Sequence, residues 1–250
     1  MHQFDHKGVG DLVSDIDRRA DQAVTEVLRR YSDSSILSEE LHPSAAELDD
    51  IWIVDPLDGT SAYLMQAGNH YPAVLIAKYR DGATRLGVAH FPLTGEWFYA
   101  QEAMGAFKNG DRLEIPETPR ATLKNSWVEM NQFGDAGLET PQFAQLRNEL
   151  RSRSGASLVT TTVPNSGVAL RIAESKTRLV AAIHDNRADH VKQAAWDVAA
   201  PQLILQEAGG VFVNLRGQVY DPFCSEVIVV ARHRDVASEV ISLIQPVLGT

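Results

Sequence analysis

The sequence predicts an α/β fold in which two sheets are layered with helices, and three observations carry that expectation. Between residues 73 and 113, short apolar runs alternate with glycine-containing turn pairs, the pattern of an antiparallel meander. Beyond residue 126, helical and strand-like stretches alternate, as they do where a sheet is covered by helices. Ahead of both, the apolar run Ile51-Trp52-Ile53-Val54 ends in Asp55-Pro56-Leu57-Asp58-Gly59-Thr60, which gathers two carboxylates, a glycine and a hydroxyl where a strand gives way.

Taken in order, Ser14 reads as the N-cap of a helix with Asp15 and Asp17 in its first turn, where acids suit the helix dipole. Ile16, Ala20, Val24, Val27, Leu28 and Tyr31 recur at helical spacing and predict its buried face. Four apolar residues from Ile51 predict a buried strand that stops at Asp55, because Pro56 gives no N–H to a ladder; residues 61–66 then read as a short helix. Strands are expected at 73–79, 85–91 and 96–100, with Asp81-Gly82 and Thr94-Gly95 at the turns and Asn109-Gly110 closing a further hairpin. In the second half, strands are expected at 127–130, 158–163, 179–183, 211–214 and 227–231, and helices at 141–150, capped by Thr140, at 166–173 and at 197–208. Gly209-Gly210 would end the last of these, and Asp235 would cap a final amphipathic helix. The polar stretch 131–140 suggests a division into halves 1–133 and 134–250 within one compact unit.

Composition narrows the function. The chain has 250 residues, 44% apolar and 22% charged, with no run long enough to span a membrane and no apolar segment of a secretory signal at its first residues. A formal charge of −10 argues against nucleic-acid polymers as partners. A single cysteine, Cys224, excludes an internal disulfide and fits a reducing cytoplasm.

Several acids close apolar runs: Glu39 and Glu40 after Ile36-Leu37, then Asp55 and Asp58, then Asp197 after Ala194-Ala195-Trp196. Any one of them is better read as a turn or cap acid. Collected at one end of a sheet they conflict, since two carboxylates about 4 Å apart repel by about 4 kcal/mol at an effective dielectric of 20. Either their pKa values rise or a cation binds, and oxygen-only donors suit Mg²⁺ better than zinc. A covalent aspartyl-phosphate mechanism of the haloacid-dehalogenase type needs an acid two residues before Asp58, and that position is Pro56.

With these elements in view the chain resembles the inositol monophosphatase family of metal-dependent phosphatases. The resemblance rests on Asp11-Leu12-Val13-Ser14 leading to Asp17, on Glu39-Glu40, on Asp55 to Thr60, on Gly105 to Gly110, and on Trp196-Asp197 followed by Glu207-Ala208-Gly209-Gly210. It implies an αβαβα layered sandwich and hydrolysis of a small phosphate monoester by metal-activated water. It also implies the ligands. Glu39, Asp55, the Leu57 carbonyl and Thr60 would surround one Mg²⁺, Asp55, Asp58 and Asp197 a second, with a looser third ion near Glu39 in some members. Thr60, polarised by Asp17, and Glu39 would orient or deprotonate the water. Asp58, Gly59, Thr60 and Asp197 would face the substrate. A homodimer is the expected assembly and a small phosphorylated metabolite the expected partner. Inositol-specific members carry a glutamate seven residues before the final metal aspartate; here that position is His190, which becomes the candidate for substrate contact. The surrounding stretch 184–193 reads as a polar loop, with a separate metal site at His184 and His190 as a lesser reading. Inositol monophosphate is the default substrate, and 3′-phosphoadenosine 5′-phosphate, histidinol phosphate and sugar phosphates are alternatives. A non-catalytic phosphate-binding regulator on the same fold is the reading from another class.

Overall fold

A computed structural model describes residues 4–8, 11–40, 49–59, 72–117, 123–131, 141–161, 167–174, 179–187 and 194–249. The expected helix at 61–66, the cap at Thr140, and the site candidates Thr60 and His190 lie outside these residues. The chain forms two compact units, the first from residues 1–112 and 194–204, the second from 113–193 and 205–250. The polar stretch 131–140 falls within the span of the second.

The first unit begins with a hairpin of β1 (Phe4–Gly8) and β2 (Asp11–Ser14), followed by α1 (Asp15–Tyr31). Its main sheet takes β3 (Ser35–Ser38), β4 (Asp50–Asp58), β5 (Ala73–Arg80), β6 (Ala83–Phe91), β7 (Glu96–Gln101), β8 (Gly105–Lys108) and β9 (Asp111–Leu113) in sequence order. The β3–β4 pair is parallel, and from β4 to β8 each pair is antiparallel, which is the meander read from the turn residues. Asp81 and Gly82 (φ 50° and 75°) and Asn109 and Gly110 (φ 53° and 93°) adopt the left-handed turns those residue types favour.

The register sorts the side chains of this sheet. Ile53, Ala77, Gly87 and Ala100 line up across four strands on one face, all of them closely packed. Val54, Ile76, Val88 and Tyr99 line up on the other. Helix α4 (Ala195–Glu207) covers the first face, where a Cβ on Gly87 would come within 2.8 Å of the Ala200 carbonyl oxygen. Helix α1 lies on the second, bonded to Ser38, the β3 residue paired with Val54.

Three local expectations are corrected. Strand β4 does not stop at Asp55 but continues through Pro56 to Asp58, because the register against β5 shifts between Asp55 and Asp58 and leaves the proline at an irregularity where no ladder N–H is needed. Helix α1 buries Asp17, Asp21 and Thr25 rather than its apolar stripe; Val27 is 52% exposed and Tyr31 86%. The last helix, α5 (Arg234–Leu248), has His233 at its N-cap, with Asp235 in the first turn instead of the cap position.

The second unit holds a five-stranded mixed sheet. Its strands are β10 (Trp127–Asn131), β11 (Ser157–Thr161), β12 (Leu179–Asp185), β13 (Val211–Val213) and β14 (Val227–Ala231), in the order β11-β10-β12-β14-β13. On one face Val128, Met130, Ala181, Ile183, Val229 and Ala231 join Leu146 and Leu150 of α2 (Pro141–Ser154) and Val236, Val240 and Ile244 of α5 in a single apolar cluster. On the other face α3 (Gly167–Ala173) is held by a salt bridge of 2.8 Å from Arg171 to Glu129. Sheets faced by helices are thus present in both units, and no helix among the described residues is long and apolar enough to cross a membrane.

Candidate metal centre

Three of the acids singled out by the sequence converge. The carboxylates of Asp55, Asp58 and Asp197 each offer an oxygen, and these oxygens lie within 4.8 Å of one another. Two come from the irregular end of β4 and the third from the first turn of α4, on the sheet face that α4 covers. The shifted register at Pro56 is what carries Asp58 beyond Asp55 as a second carboxylate from the same strand end. The Leu57 N–H donates to Asp55 Oδ1 at 2.9 Å, and the Ala194 N–H donates to Asp197 Oδ2 at 2.6 Å, so two of the carboxylates are aimed by their own backbone. Leu57 is buried between Asp55 and Asp58 in sequence.

Glu39 belongs to the same neighbourhood. It follows β3, its N–H donates to the Val54 carbonyl at 3.1 Å, and its side chain hydrogen-bonds Asp55. A hydrogen bond between two carboxyl groups requires a shared proton. The pKa of Asp55 is accordingly raised well above the ordinary range, first by burial and then by the charges of Glu39, Asp58 and Asp197. Asp197 is raised likewise, by burial of its carboxyl and the charges of Asp58 and Glu39. Protonation and a bound cation are the two remedies for such crowding, and a buried set of oxygen donors fits a hard divalent ion. Gly59, at φ 86°, is a glycine for conformation rather than for room, since a Cβ there would meet no atom within 4 Å.

Asp17 stands apart from the three converging carboxylates. It is buried on α1, one turn before Asp21. Two polar residues that the sequence reading passed over are buried beside it. Asp21 is 3% exposed and accepts a hydrogen bond from the Ser38 hydroxyl, and Thr25 closes the stripe by donating to the Asp21 carbonyl at 2.8 Å. The signal was present as Asp17, Asp21 and Thr25 at four-residue spacing, a polar stripe with the period of a buried one.

The stretch 184–193 is firmer at its start than a polar loop. His184 and Asp185 end β12, and Asn186 is buried with its Nδ2 donating to Tyr220 Oη at 2.9 Å. Arg187 pairs with Asp185 at 2.8 Å and donates to the Leu248 carbonyl. Burial lowers the His184 pKa to about 3, so its imidazole is neutral at physiological pH.

Fold and site together define a layered α/β protein with a largely buried cradle of carboxylates where a strand end meets a helix start. The sequence matches the inositol monophosphatase family over residues 2–248, and the chain belongs to that family, a member of the phosphoric monoester hydrolases. It is 29% identical over 225 residues to a fructose-1,6-bisphosphatase/inositol-1-monophosphatase of Thermotoga maritima, covering 88% of this chain and 78% of that protein. It is 31% identical over 245 residues to the Nus factor SuhB of Pasteurella multocida, covering 97% and 86%. Among solved structures, the IMPase of Thermotoga maritima superposes with a TM-score of 0.76 at 25% identity, over 98% of this chain and 88% of that one. The layered α/β sandwich is the fold they share.

Proposed function

We propose that the chain hydrolyses a small phosphate monoester with Mg²⁺ held by Asp55, Asp58 and Asp197, and that inositol-1-phosphate is its first candidate substrate. The observation that carries this reading is the carboxylate triad, two of its members buried and Asp197 half-buried, with its raised acids. Glu39, the Leu57 carbonyl and Thr60 would complete a first ion site with Asp55, and a third ion near Glu39 fits the same donor chemistry. When bound, Mg²⁺ would supply an activated water and charge neutralisation on the attacking and leaving oxygens.

The chain's own residues supply the rest. Asp55, Asp58 and Asp197 converge from two elements and hold the charge cradle in place. Glu39, half-buried beside Asp55, would accept a proton from the attacking water once the cation has displaced the proton the two carboxyls share. Thr60, polarised by Asp17, would share in orienting that water. Gly59, with open space beside its backbone, would let the phosphate approach. His190 would contact the ester's alcohol part. The reading extends to a homodimer in a reducing cytoplasm, which sizing of the purified protein and a localised fusion would check.

A panel of inositol-1-phosphate, 3′-phosphoadenosine 5′-phosphate, fructose-1,6-bisphosphate and histidinol phosphate, assayed for phosphate release with Mg²⁺, tests the proposal. Preference for inositol-1-phosphate supports it. Preference for the nucleotide moves the chain to the 3′-nucleotidase alternative, and no release from any ester contradicts the enzyme reading. The likeness to a protein named Nus factor SuhB favours a second reading, a non-catalytic regulator on this fold. Three converging carboxylates are more than such a role needs.

A further inference from the structure

The geometry points to Asp21 and Ser38 as positioning residues for the metal centre: their buried hydrogen bond clasps α1 to the end of β3 and thereby holds Glu39 against Asp55. This inference rests on the proposed metal-dependent hydrolysis and names residues that set its ligand geometry.

The contacts run in an unbroken series. The Ser38 hydroxyl donates to Asp21 Oδ1, and Ser38 is fully buried while Asp21 is 3% exposed. Ser38 is the last residue of β3 and stands in register with Val54. The next residue along each strand is a carboxylate, Glu39 on one side and Asp55 on the other. The Glu39 N–H bonds the Val54 carbonyl at 3.1 Å, and the Glu39 carboxyl bonds Asp55. A shift of Ser38 along or away from its strand is therefore passed to Glu39 through one peptide bond.

Holding a helix to a strand does not call for an aspartate. Burying a carboxyl is costly unless it is well bonded, and apolar side chains would seat the helix without that cost. What a charge-assisted hydrogen bond adds is direction, since the donor must point at the acceptor. The same stripe of α1 carries Asp17, one turn before Asp21, so the clasp also ties that acid to the strand end. Thr25, bonded to the Asp21 carbonyl, stiffens the stripe at its far end.

The test uses Ser38→Ala, Asp21→Ala, the double variant and Asp21→Asn, the last keeping an acceptor oxygen for Ser38. Phosphate release is followed against Mg²⁺ concentration, with thermal unfolding of each variant alongside. Ser38→Ala and Asp21→Ala should each raise the half-saturating Mg²⁺ by about tenfold, the change expected for losing a buried hydrogen bond to a charged group. The double variant should go no further than either single one, because both remove the same contact. Asp21→Asn should remain within about twofold of wild type, and turnover at saturating Mg²⁺ should change little in any variant. Unfolding shifts with an unmoved half-saturation point would show that the pair only holds the fold, and would overturn the inference. Ser38→Ala removes one oxygen and decides the matter alone if Asp21→Ala does not fold. If wild type releases no phosphate, the hydrolase reading fails by itself. Mn²⁺ binding followed by electron paramagnetic resonance on the same variants then judges the clasp, with equal affinities counting against it.

Discussion

Asp58 and Asp197 approach each other from a strand end and a helix start, and with Asp55 they bring three acids within 4.8 Å. Neutral isosteres at these positions separate function from stability. Asp58→Asn and Asp197→Asn should each lower Mg²⁺-dependent turnover by at least about a hundredfold, since both remove a charge that the cation and the transition state require. The metal-free variants should be no less stable than wild type, because one of a set of mutually repelling charges has gone. Kinetics and thermal unfolding on the same samples check this, and near-normal rates in both variants would remove the triad from the reaction. A pH dependence follows from the same crowding. Asp55 and Asp197 have folded pKa values raised well above the ordinary 3.8. Their contribution to metal-free stability is therefore fully present below 3.8 and is lost as pH rises through the folded values. Added Mg²⁺ takes the place of the protons, so the rise in Tm that it gives should be small near pH 4 and larger at neutral pH. A Tm increment that does not grow with pH would contradict the placement of the ion among these acids.

The elements show where close approach matters and where sequence periodicity runs out. A Cβ on Gly87 would lie 2.8 Å from the Ala200 oxygen and 3.1 Å from its Cα, against helix backbone that cannot rotate away. Gly87→Ala should therefore cost about 1–3 kcal/mol of stability, measured by urea unfolding, and should weaken Mg²⁺ binding because α4 also carries Asp197. Unchanged stability would mean that α4 does not sit on that sheet face. The meander was readable from its turns, because Asp-Gly and Asn-Gly pairs require left-handed backbone that few other residues tolerate. Strands β12 and β14 were readable from continuous apolar runs, which are buried on both faces. Helix α1 was misread because periodicity counts apolar residues, whereas this helix buries Asp17, Asp21 and Thr25 and leaves Val27 and Tyr31 exposed. A polar stripe is buried only when it has partners elsewhere in the chain, and Ser38, one of them, lies 17 positions away. Pro56 was read as a strand end for a similar reason: whether a proline stops a strand or sits in an irregularity depends on the register of its neighbour, which one strand's residues do not contain.

For the whole molecule, the site was legible further than the packing around it. Asp55, Asp58 and Asp197 were selected because each ends an apolar run, and the end of such a run is where a buried sheet meets its edge. What the residues alone left open, whether these acids share one place, is answered by their convergence. His190, proposed for substrate contact, lies outside the described residues, whereas Asn186 is fixed by Tyr220, a partner 34 positions away that no local pattern announces. The central claim is that this acidic chain, at −10 formal charge, handles a phosphate ester by way of a cation held among Asp55, Asp58 and Asp197. It is tested most directly by following phosphate release from inositol-1-phosphate in protein stripped with chelator, before and after Mg²⁺ is restored, beside Asp197→Asn treated identically. The account predicts no release when stripped, full recovery with Mg²⁺ in wild type and none in the variant. Release that persists without the metal, or returns equally in Asp197→Asn, would contradict it.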